Sequence, residues 1–79
     1  MPRRKARLEI GYRAFEEIER LYDVKKYGNK LRVSKIIGCN KKSIDGWENG
    51  IASDAIHLQR LNEIGADVIY ILTGVRKNG

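Results

Sequence analysis

Apolar residues recur along this chain at helical spacing and stop at glycines. Between Arg7 and Val24, the residues Ile10, Ala14, Ile18, Leu21 and Tyr22 fall on one stripe with Phe15 beside it, while Arg13, Glu16, Glu17 and Arg20 take the far side. That pattern predicts an amphipathic helix with one buried face. A second, shorter segment, NKLRVSKII, places Leu31, Ser34 and Ile37 near one face with Val33 and Ile36 alongside, and ends at Gly38. The third begins at Asn40, whose side-chain oxygen is expected to cap it, and carries Ile44 and Trp47 on its apolar side. The fourth opens at Ser53 or Asp54 and turns Ile56, Leu58, Leu61 and Ile64 inward. The fifth starts at Asp67 and holds Val68, Ile71 and Leu72.

Gly28, Gly38, Gly50, Gly65 and Gly74 each follow a segment of helical spacing, as expected just past helix C-termini, where a left-handed backbone is needed. No alternating run is long enough for a strand, and neither a repeat nor a low-complexity segment occurs. The expected fold class is all-α, a compact bundle of about five short helices. At 79 residues a chain buries only about 60% of the surface it exposes unfolded, which allows one core and one domain. The expected division is a basic N-terminal arm over residues 1–7, a helical domain over 8–74, and a tail or the start of a linker over 75–79.

Charge adds a partner class to this picture. Sixteen Lys and Arg against ten Asp and Glu give a formal charge of +6, and polyanions are the natural partners of so basic a small domain. The single cysteine allows no intramolecular disulfide, which fits a reducing cytoplasm. MPRRKAR leads into no apolar signal segment, and the longest apolar run, VIYIL, is far too short to span a bilayer. Neither export nor membrane insertion is expected. His57 and Cys39 are the only residues of their kinds and cannot supply the three or four ligands of a zinc site. Without a metal set, a catalytic triad, paired carboxylates in context or a glycine-rich phosphate loop, no enzyme and no cofactor are expected.

The stretch IIGCNKKSIDGWENG, Ile36 to Gly50, carries the chemistry. A helix ending at Gly38, a turn through Cys39 and Asn40, and a second helix with Ile44 and Trp47 pointing back describe a helix-turn-helix. Its scaffold is Ser34, small where the helices cross, Gly38 in the turn, Cys39 and Ile44 in the angle, and Trp47 toward the core. The outward side is Asn40, Lys41, Lys42, Ser43, Asp45, Gly46 and Asn49. In such a motif the second helix enters the DNA major groove with its N-terminal residues toward base edges. Lysine donates to guanine O6 and N7. Two lysines at a helix N-terminus oppose the helix dipole, so an external anion makes better sense of them. Asp45 either accepts from a cytosine amino group or pairs with a lysine of its own helix. Lys30 and Asn49 flank this face and suit phosphates, which fix register without reading sequence. Arg3, Arg4 and Lys5 of the arm suit the backbone or the minor groove. Tyr12, Tyr22, Tyr27 and Phe15 lie on helical stripes and are expected to pack.

From about Phe15 to Gly74 the chain resembles the helix-turn-helix domain of the lambda-repressor-like group, in particular the N-terminal domain of bacteriophage CI-type repressors. VSKIIGCNKKSIDGWENG matches the motif, and LNEIGADVIYILTG is similar to the closing element of such domains. Ser34 stands where alanine is usual, Lys30 where glutamine is frequent, and IASDAI lacks a proline often found there. The resemblance implies operator binding on double-stranded DNA by a transcriptional repressor, with recognition residues at Lys41, Lys42, Asp45 and Gly46. Repressors of this group commonly add a C-terminal oligomerisation domain, and VRKNG stands where a linker to one would begin; the alternative expectation is a short regulator complete in itself. The residues of VIYIL cannot all face inward from one helix, which leaves Ile69 or Tyr70 outside and suits a homodimer on a palindromic site. A protein-interaction module of antirepressor or antitoxin type and a non-specific nucleic-acid binder are the competing readings.

Overall fold

Five helices carry this pattern in a computed structural model, which describes the backbone of residues 3–76 and the side chains of 9–76. They are α1 (Arg3–Tyr22), α2 (Asn29–Ile37), α3 (Lys41–Glu48), α4 (Ala55–Glu63) and α5 (Val68–Thr73). All regular structure among the described residues is helical, in a body of about 36 × 26 × 22 Å. The fold is all-α, as the periodicity predicts. The described backbone of α1 begins at Arg3, so residues 3–7 of the segment expected as an arm are helical. The side chains of Arg3, Arg4 and Lys5 lie outside the described residues.

Every helix contributes to one core. Ala14, Phe15 and Ile18 of α1 meet Val33 and Ile37 of α2, Ile44 and Trp47 of α3, Leu61 of α4 and Ile71 of α5, with Val24 and Ala66 filling from the connections. Helix α1 lies against both α3 and α5. Trp47 is among the largest side chains fully enclosed, and removing one such ring typically costs about 3–5 kcal/mol.

The ends of α2 and α3 share one closing bond, from the residue after the glycine to the carbonyl five positions back. Ser34 O accepts from both Gly38 N and Cys39 N at 2.8 and 2.9 Å; Gly46 O accepts from Ile51 N at 2.8 Å, and Trp47 O from Gly50 N at 3.0 Å. Gly38 and Gly50 take φ values of 84° and 87°, which place the next residue for the six-to-one bond that ends a helix. Ser34 is buried and its hydroxyl donates to Leu31 O at 2.6 Å. At the other junction, Asn29 Nδ2 donates to Tyr22 O and Asp23 O, both at 2.9 Å, tying the end of α1 to the start of α2.

Several expectations about facing are corrected. Leu31, Ile36, Ile56 and Leu72 are exposed, because short helices in a small body bury only their central rows. Tyr12 is half exposed and Tyr27 wholly so; Tyr27 sits in a loop and no helix carries it inward. Asn40 occupies the N-cap of α3 and Asp54 that of α4, yet neither side chain caps. Asp67 does cap α5, accepting from Tyr70 N at 2.9 Å. Gly28 lies at the N-cap of α2 and so begins a helix.

Glu17, expected on the far side of α1, is completely buried. Its carboxylate accepts from Arg20 at 2.8 and 3.2 Å, from Asp67 N at 2.7 Å and from Arg76 Nη1 at 2.6 Å. Arg76 also lies over the Tyr70 ring at 3.7 Å. One buried carboxylate thus joins α1, the start of α5 and the segment after α5. Burial raises a carboxyl pKa, but the hydrogen bonds from Arg20, Asp67 N and Arg76 outweigh it and hold Glu17 at about 2.

A further glycine sets the approach of α1. A Cβ at Gly11 would lie 2.5 Å from Ile51 O and 2.7 Å from Gly50 C, both backbone atoms. At Gly46 the same Cβ would meet only the Ile51 side chain, at 3.5 Å.

Gly11→Ala should therefore destabilise the fold by about 1–3 kcal/mol through forced displacement of α1, whereas Gly46→Ala should stabilise it by up to about 1 kcal/mol through helix propensity. Urea unfolding of the two variants checks the opposed signs. For Glu17, the unfolded carboxyl takes up its proton near the ordinary value of 4.5 and the folded one only near 2. Its stabilisation is therefore complete above that ordinary value and is lost as pH falls through this window. Between pH 6 and pH 3, wild type should lose about 2 kcal/mol more stability than Glu17→Gln, measured by urea unfolding at each pH.

Candidate nucleic-acid interface

Helix α3 is amphipathic in a strict sense. Ile44 and Trp47 are sealed into the core, so the opposite side of the helix has to face outward. Lys42 and Asn49, two turns apart, share the outermost face, with Asp45 and Gly46 on either flank. Asn40, Lys41 and Lys42 are exposed, and Ser43, Asp45 and Gly46 are half-buried. Asn40 does not cap, so among the described residues no side chain satisfies the first backbone N–H groups of α3, which adds to the positive character of this end.

The two flanks of α3 differ. On the α2 side, Lys41 borders a cleft of about 570 Å3 lined also by Lys25, Lys26, Lys30, Tyr27 and Leu31. On the α4 side, Lys42, Ser43 and Gly46 line a smaller hollow of about 180 Å3 with Ile51, Asp54 and His57. His57 packs edge-on against Trp47, ring centroids 5.8 Å apart, so it braces the floor of that hollow. Beside it Ser53 Oγ is buried without a partner among the described residues.

Lys30, expected on phosphate, is otherwise engaged. Its ammonium donates to Asp45 Oδ1 at 3.0 Å and Glu48 Oε1 at 2.6 Å, and lies 5.7 Å from the Phe15 ring centroid. Asp45 is bound on both sides, with Lys41 Nζ 3.5 Å from its second oxygen. The hydrogen bonds to Glu48 and Asp45 raise the Lys30 pKa, and the bond from Lys30 lowers that of Asp45. Asn49, also expected on phosphate, donates its side-chain amide to Asp45 O at 2.8 Å and stays exposed.

Of the residues expected to scaffold the motif, Ser34, Ile44 and Trp47 are buried, Gly38 takes a left-handed conformation, and Cys39 is half-buried. Burial pushes the Cys39 thiol pKa up, which disfavours the nucleophilic thiolate. Sequence reasoning missed Lys25, Lys26 and Tyr27, although the run KKYGNK is visible as a charge cluster in a glycine-bounded loop. Among the described residues no group of three His, Cys, Asp or Glu gathers for a metal, and no helix is long and apolar enough to cross a membrane.

Comparison with protein-family models, with curated proteins and with solved structures gave no match.

Proposed function

We propose that this chain is a sequence-reading, double-stranded-DNA-binding domain of a transcriptional regulator, of the repressor type its sequence resembles. The observation that carries the reading is the α2, turn, α3 unit, in which a three-residue turn presents a helix with a buried apolar back and two exposed lysines at its uncapped N-terminus. In this reading α3 lies in the major groove with Lys42 and Asn49 foremost, and Lys41, Asp45 and Gly46 beside them. The lysine-lined cleft follows the phosphate backbone, with Lys25 and Lys26 at its outer edge. The mixed front, a carboxylate and an amide among lysines, supports base reading over general attraction, because a non-specific binder gains nothing from Asp45.

Exposed apolar residues on α5 and just beyond, Ile69, Leu72 and Val75, are 57%, 47% and 65% accessible and spaced three apart. They suit a symmetric contact between two copies reading an inverted repeat. A cytoplasmic place of action, on the DNA of a bacterial host, belongs to the same reading. Tyr27 and Leu31, exposed beside the cleft lysines, favour a second one, docking of an acidic protein segment with an apolar anchor.

Selection from a random duplex library, followed by binding of the winner and a scrambled duplex across a salt series, tests the proposal. Enrichment of an inverted repeat with an affinity gap that survives salt is expected. No enrichment, with both duplexes fading together, would refute sequence reading. On the selected duplex, Lys42→Ala should cost about 1–3 kcal/mol, while Lys25→Ala and Lys26→Ala should weaken all duplexes alike and each lower the salt slope by about one ion.

A further inference from the structure

Lys30 holds a position that phosphate binding does not explain. It stands in the first turn of α2 and reaches across to α3, where it serves two carboxylates one turn apart, Asp45 at 3.0 Å and Glu48 at 2.6 Å. Two of the three donors of its ammonium are therefore consumed. Its side chain is 24% exposed against 39% and 42% for its partners, and its position over Phe15 of α1 brings three helices to one cation. An ammonium so enclosed would have to break two charge-assisted bonds to meet a phosphate.

The charge pattern of α3 gives the arrangement a purpose. KKSIDGWE contains two lysines and two carboxylates, so the helix alone is neutral and offers a polyanion as much repulsion as attraction. With Lys30 bound to both acids and Lys41 to the second oxygen of Asp45 at 3.5 Å, the carboxylates are neutralised from within the protein, and Lys42 faces outward without an ion-pair partner among the described residues.

Resting on the DNA-reading function above, we propose that Lys30 is a positioning residue: it clamps Asp45 and Glu48, fixes α3 against α2, and screens the acidic side of α3 from DNA without touching phosphate. Asp45 is thereby held as an acceptor of fixed direction. A carboxylate on the reading face then acts as a selector of bases and its general repulsion is suppressed.

The test compares Lys30→Met, which keeps an apolar stem over Phe15, in wild type and in the Asp45→Asn/Glu48→Gln background, each background on its own selected duplex. The clamp predicts that Lys30→Met weakens binding about tenfold in wild type and changes it by about twofold or less in the double variant, where no carboxylate needs a partner. Its salt slope should match that of its parent, because no phosphate contact is lost. A slope lowered by about one ion, with equal losses in both backgrounds and on all duplexes, would make Lys30 a phosphate ligand and overturn the proposal. Urea unfolding of the same four proteins reads the clamp without DNA. Lys30→Met should lower the midpoint more in wild type than in the double variant, and zero coupling would overturn it even where DNA is bound. Failure of wild type to select any duplex would instead remove the DNA-reading function, which the unfolding cycle does not depend on.

Discussion

The missing side chain at Gly11 allows α1 to lie against the chain as it leaves α3, and the rest of the structure hangs on that approach. A Cβ there would collide with Ile51 O and Gly50 C, and backbone cannot step aside as the end of a flexible side chain can. Because α1 comes this close, Ala14, Phe15 and Ile18 reach Ile44 and Trp47 in a common core. Because those two are enclosed, the opposite face of α3 is presented outward. The same glycine contact bears on the turn after α3, where Gly50 adopts its left-handed conformation and returns the chain toward α4.

Two ionic centres organise the charges, and they differ in kind. Around Glu17, a wholly buried carboxylate is answered by Arg20, Arg76 and the Asp67 N–H, and the result locks the C-terminal segment to α1. Removing one partner from such a site is costly because the remaining charge stays desolvated. Around Lys30, the groups are partly exposed and each pair contributes little alone; the consequence lies in direction, since two acids of α3 are turned toward a cation of α2. Both centres consume basic residues internally, so the formal surplus of +6 is felt most where lysines have no internal partner. Lys25 and Lys26 of the cleft and Lys42 of α3 are among them, with no ion-pair partner among the described residues, whereas Lys30 and Lys41 are paired.

Helix number and class were legible in the sequence because glycines and apolar periodicity are local signals. Gly38, Gly50 and Gly65 mark helix ends since only a residue without Cβ adopts the required φ at little cost. The spacing of Ile44 and Trp47 likewise declared the back of α3, and with it the candidate front. Burial of single residues was less legible. Ile56 and Leu72 obey helical spacing yet are exposed, because spacing shows that a stripe exists and says nothing of how much neighbouring surface is available to cover it.

What the sequence by itself determined is therefore the set of five helices, the turn at Gly38, the buried and outward faces of α3, and a basic charge balance. Tertiary structure alone decided that Glu17 is buried, that Arg76 returns to it from 59 positions along the chain, that Gly11 must lack a side chain, and that Lys30 faces Asp45 and Glu48 in place of solvent. The physical reason is range. Capping, φ preference and periodicity act between residues a few positions apart, whereas a carboxylate's partners and a glycine's clearance depend on which distant backbone or cation the folded chain brings within a few ångströms.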